Sequence, residues 1–121
     1  MRYALLIGAV LGAVAVLLGA FAAHGLKNTL SVEYLAVLQT AVLYQFIHAL
    51  ALLLVVVLAQ QRAARALVVA AGCFILGVLL FSGSLYVLVL TPFKPGLIPP
   101  IGGVFLVIGW CAVAYSALRK V

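Results

Sequence analysis

The sequence predicts an all-α integral membrane protein, a bundle of four transmembrane helices. Three observations carry that prediction. Of 121 residues, 69% are hydrophobic and 7% charged, and the mean hydropathy is +1.46, outside the soluble globular range. Four apolar runs, spanning approximately 3–23, 34–59, 66–90 and 101–118, are long enough to cross a hydrocarbon core of about 30 Å. Short polar or Pro/Gly-rich stretches separate them. A chain of this length makes one membrane domain, residues 1–121.

The first span opens after Arg2 and runs from Tyr3 to Ala23 without a charge. It exceeds the usual apolar core of a secretory signal, which weighs against cleavage. Gly8, Gly12, Ala15, Gly19 and Ala22 recur on one side at helical spacing. Such a stripe lets another backbone approach closely, with Gly8 and Gly12 forming a GxxxG pair. Gly25 suits a left-handed residue that stops the helix, and His24 then lies at the helix C-terminus.

Ser31 suits the N-cap of the second helix, and Glu33, the one acidic residue, suits its first turn. The helical pattern continues to Ala59, longer than the hydrocarbon is thick, so the first turns enter the headgroups or the helix tilts. At 100° per residue, Glu33, Val37, Thr40, Ala41, Tyr44 and His48 share a face, with Gln45 at its margin. That face is expected to look into the bundle. Val42, Leu43, Phe46, Leu50, Leu53 and Leu54 are expected to meet lipid, with Ile47 at the margin.

The third span carries small residues at Gly72, Cys73, Gly77, Gly83 and Ser84. Ser82 and Tyr86, four apart, share a face. Prolines in TPFKPGLIPP cannot extend it, but Pro99 and Pro100 can begin the fourth helix. There Gly102, Gly109 and Ser116 recur at heptad spacing. The expected packing glycines are thus Gly8, Gly12, Gly19, Gly77, Gly102 and Gly109.

Net charge is +6. The basic residues form no basic helix face with an aromatic platform, so nucleic acid is rejected as a partner. They report topology instead. Arg2, Arg62, Arg65, Arg119 and Lys120 fall on one side of the four spans and Lys27 and Lys94 on the other. Five against two predicts both termini in the cytoplasm.

With that orientation the polar residues concentrate in the outer half of the bilayer. Thr40, Tyr44, Gln45, Ser82, Ser84 and Tyr86 lie there, His24 lies at the outer edge, and His48 lies near the midplane. The expectation is a polar cluster opening outward and floored by His48. Buried polar groups in lipid must find partners.

Four segments resemble the domain-of-unknown-function family 423, small membrane proteins of the YgdD and transmembrane-protein-256 type. They are GAFAAHGLK (Gly19 to Lys27), TAVLYQFIHALALL (Thr40 to Leu53), LFSGSLYVL (Leu80 to Leu88) and PPIGGVFLVIGW (Pro99 to Trp110). Ala22, Val32 and Pro99 depart from the pattern, and none of the three removes a polar group from helices two or three. The resemblance implies fold and membrane location and assigns no chemistry.

Two functional readings follow from the residues. One is a structural or interaction protein of the inner membrane, with a polar network among His48, Tyr44, Gln45, Thr40, Ser82, Ser84, Tyr86, His24 and Glu33. The alternative is an oligomeric binding or transport component for a small solute, lipid or ion, with His48 at the floor of an outward pocket. A homo-oligomer or a membrane-protein partner is open in either case. No nucleophile–base–orienter set suggests an enzyme. No cofactor is expected: Cys73 and Cys111 lie in separate apolar runs without metal spacing. His48 lies roughly 18 Å deeper than the edge where His24 sits, too far for one metal to touch both.

Overall fold

The computed structural model describes residues 1–119. Its elements are α1 (Arg2–His24), α2 (Val32–Gln61), α3 (Arg65–Leu90) and α4 (Ile98–Leu118). Each is long and apolar enough to cross a membrane. No strand occurs among the described residues. Lys120, counted above on the more basic side, lies outside them.

Local chemistry sets the helix ends. Ser31 Oγ accepts the Tyr34 backbone N–H at 3.1 Å, and Glu33 follows in the first turn of α2. Thr91 caps the far end of α3, donating to the Val87 carbonyl at 2.6 Å and accepting the Phe93 N–H at 3.2 Å. α4 starts three residues before the expected Ile101, with both prolines in its first turn, where a missing N–H costs nothing. Gly25 departs from expectation. Its φ is −98°, a right-handed value, and its N–H bonds the Phe21 carbonyl at 2.7 Å. Glycine fits there because a Cβ would come within 2.9 Å of the Phe21 ring. The left-handed glycine is Gly96, with φ of 64°, in the turn into α4.

The close helix pairs are consecutive: α1 on α2, α2 on α3, α3 on α4. α1 and α4, the ends of the series, are not a close pair. α2 therefore has helices on two sides. The α1 stripe meets one of them, with Gly8 against Leu53, Gly12 near Ala49 and Gly19 against Val42. Val42 and Leu53, expected to meet lipid, are instead half-buried and pack on α1. Leu43, Phe46, Ile47, Leu50 and Leu54 are exposed.

Glycines also set the α3–α4 approach. Gly77 lies against Leu106, Gly109 against the Phe74 ring, and Gly102 against the backbone at Leu80 and Phe81. Around these crossings one apolar core joins residues of all four helices, including Ala4, Leu52, Val55, Leu67, Phe74 and Leu106. A smaller core of Ala22, Leu38 and Val89 closes the end that carries the α1–α2 and α3–α4 loops, here the two-loop end. The opposite end carries Arg2, the α2–α3 loop and Arg119, here the termini end.

Candidate polar site between the helices

α2 supplies the centre of the site. Gln45, placed at the margin of the inward face by its sequence angle, is in fact buried at 3% exposure. The side chain joins three helices. Its Nε2 donates to the Leu11 carbonyl of α1 at 2.8 Å, and its Oε1 accepts the Tyr86 hydroxyl of α3 at 2.5 Å. Small residues in the α1 stripe bring that backbone near enough for a carbonyl to be used.

His48 lies one turn further along α2 and is buried at 5% exposure. Nδ1 lies 2.8 Å from the Tyr44 carbonyl of its own helix, and Trp110 Nε1 of α4 donates to Nε2 at 3.0 Å. A carbonyl only accepts and an indole N–H only donates. The pair of bonds therefore requires a neutral ring with its proton on Nδ1. Aromatic rings wall the site. Phe74 lies between α2 and α4, its centroid 5.6 Å from that of His48 and 5.2 Å from that of Trp110.

Ser82 Oγ completes the α2–α3 contact by donating to the Ala41 carbonyl at 2.7 Å. Among the described residues no buried side-chain nitrogen or oxygen lacks a partner. That is the condition a polar network must meet where water is scarce.

Other residues named from the sequence sit elsewhere. Tyr44 is 40% exposed and packs its ring on Phe81, centroids 4.8 Å apart. Its backbone carbonyl takes the His48 hydrogen bond, and its ring stacks on the imidazole with centroids 6.0 Å apart, but its hydroxyl makes no bond in the network. Ser84 is buried but donates to the Phe81 carbonyl of its own helix. Thr40, His24 and Glu33 are exposed and stand apart from the Gln45–His48 bonds. The actual face of α2 is thus turned toward Ala41, Gln45 and His48, away from Thr40 and Tyr44. The cause is the second neighbour: α1 and α3 must both be reached from one helix.

Trp110 escaped sequence reasoning as a site residue. Its partner is two helices away, and no short-range spacing links the two. A second tie was also missed. Arg62 Nη2 donates to Ser116 Oγ at 3.2 Å, joining the α2–α3 loop to α4. The heptad position of Ser116 was the available signal.

The expected outward pocket floored by His48 does not match the cavities found. A groove of about 630 Å³ runs between α3 and α4 at the termini end, and a smaller one of about 190 Å³ lies between α1 and α2 beside Gln39. His48 lines neither.

Comparison with known proteins agrees with the helices and the segments quoted above. The family model described as "Protein of unknown function (DUF423)" matches residues 18–103. The chain belongs to this family. It is similar to a UPF0382 membrane protein of Staphylococcus aureus, 46% identical over 98% of both chains. The UPF0382 membrane protein YwdK of Bacillus subtilis is 40% identical, again over 98% of both. The UPF0382 inner membrane protein YgdD of Escherichia coli is 36% identical over 98% of this chain and 91% of its own. No solved structure matches. Four apolar helices and these relatives make the chain a small multi-pass membrane protein.

Proposed function

We propose that the chain is a non-enzymatic structural or interaction protein of the cytoplasmic membrane, with both termini in the cytoplasm. Its buried polar residues hold four helices in register and leave the outer helix surfaces to lipid and to partners. One observation carries this reading. Both ring nitrogens of His48 are occupied by protein groups, one accepting and one donating. A ring used this way has no nitrogen left to bind or relay a solute. Inner-membrane location and orientation rest on the five-to-two distribution of Lys and Arg and on the inner-membrane relative.

Nitrogen-15 solid-state NMR on histidine-labelled protein in lipid tests the reading. The His48 ring is expected as the Nδ1–H tautomer, with an Nε2 resonance that shifts in Trp110→Phe. A ring protonated on Nε2, or one that exchanges freely with water, would favour the open-site alternative.

A further inference from the structure

The 630 Å³ groove at the termini end is within the ~300–1,000 Å³ range of small-molecule sites and is distinct from the polar network. Its walls are the first turns of α3 and the last turns of α4. Val69 and Ile108 form apolar walls deeper in the groove, and the alanines Ala64, Ala66 and Ala112 leave it wide. At the mouth stand Arg65, at the start of α3, and Arg119, just beyond α4. Tyr115 lines the same opening and is 52% exposed. Apolar depth, an aromatic at the rim and guanidiniums at the mouth reproduce the profile of one bilayer leaflet.

Charge narrows the occupant. The chain has one acidic residue. It is Glu33, at the far end of α2, roughly 40 Å away along the helix axis. No carboxylate side chain can therefore balance Arg65 and Arg119. Arg62, another cation close to the groove among the described residues, is already bonded to Ser116. The α3 N-terminus has no side-chain cap, so its first N–H groups add positive potential at the same mouth. Carbonyls at the end of α4 oppose this, and Arg119 offsets them.

We propose that this groove binds an anionic phospholipid. The phosphate lies between Arg65, Arg119 and the first turn of α3, and an acyl chain lies along Val69, Ile108 and Ala112. Guanidiniums suit phosphate oxygens by shape as well as charge, and basic pockets between transmembrane helices recognise such headgroups. The proposal rests on the membrane location and not on the orientation or the state of His48.

Native mass spectrometry of the detergent-solubilised protein, titrated with phosphatidylglycerol or phosphatidylcholine of identical chains, tests it. Phosphatidylglycerol is expected to bind preferentially. Arg65→Gln/Arg119→Gln should weaken that binding on the order of tenfold or more, whereas Arg2→Gln, at the same end but outside the groove, should not. Ala112→Phe fills the groove without altering charge and should also displace the lipid. Circular dichroism confirms that each variant keeps its helix content. Equal binding of both lipids, or phosphatidylglycerol binding unchanged in both groove variants, overturns the proposal. So does a lipid-free dimer that Ala112→Phe converts to monomer, since the occupant would then be a second copy.

Discussion

The two ends of the helix series are joined by different physics. α2 is tied to α1 and α3 by side-chain hydrogen bonds through Gln45 and Ser82. The α3–α4 pair relies on glycine, with Gly102 against backbone, Gly77 against Leu106 and Gly109 against Phe74. The side-chain bonds of α4 bypass α3 and reach His48 on α2 and Arg62 in the loop. Water drives neither contact, because lipid is as apolar as leucine. Where backbones can nearly touch, dispersion suffices. Where α2 must serve two neighbours, directional bonds choose the register.

The largest effect should therefore come from Gly102. A Cβ there would overlap the Phe81 nitrogen and lie 2.7 Å from the Leu80 carbonyl carbon, both backbone atoms that cannot rotate away. Gly102→Ala is expected to destabilise by about 3 kcal/mol, the upper part of the range for overpacking. Steric trapping in bicelles measures it. Gly83→Ala is the control, since nothing lies within 4 Å of the added Cβ, and it should change little. If the two variants behave alike, close backbone approach is not what holds α3 to α4.

That contrast also marks how far the sequence could be read. Helix number and the loop breaks were legible because hydropathy and Pro/Gly punctuation are local. The α1 stripe was legible because small residues every three or four positions have one geometric meaning on a helix. The neighbours of α2 were not. Val42 and Leu53 pack on α1, yet in lipid an apolar side chain is equally suited to a helix or to an acyl chain, so periodicity assigns them to either. Gln45 is the instructive case. Its angle placed it at a margin, and only the presence of helices on both sides makes that margin the centre. The Trp110–His48 bond depends on how α4 crosses α3, which no spacing within either helix records. The groove at the termini end was missed for a different reason. Its polar groups are arginines, and in a membrane sequence arginines are first read as topology.

A middle-sized effect is expected at Gln45. Hydrogen bonds in membrane bundles average roughly 0.6 kcal/mol and reach about 1.7. Gln45→Leu breaks two and leaves the Tyr86 hydroxyl without its acceptor, so a loss of about 1–2 kcal/mol is expected. A double-mutant cycle with Tyr86→Phe should return a coupling near 0.6 kcal/mol. Zero coupling would mean that the 2.5 Å contact does not fix register, and the contrast between the two ends of the helix series would lose its polar half.

The smallest effect is expected inside the GxxxG pair, and it separates a motif from its geometry. Gly8 and Gly12 look equivalent in sequence. A Cβ on Gly8 would lie 2.9 Å from Leu53 Cδ2, whereas one on Gly12 finds only the Ala49 Cβ, at 4.0 Å. The Leu53 methyl ends a flexible side chain and can move, so Gly8→Ala should cost about 1 kcal/mol, the low end for overpacking. Gly12→Ala should be neutral or slightly stabilising, because 4.0 Å is an ordinary van der Waals distance and alanine is the better helix former. Unfolding midpoints of the two variants in the same detergent decide this. If Gly12→Ala costs as much as Gly8→Ala, α1 packs closer to α2 than the geometry indicates, and the α1–α2 contact belongs with α3–α4 as a backbone-to-backbone interface.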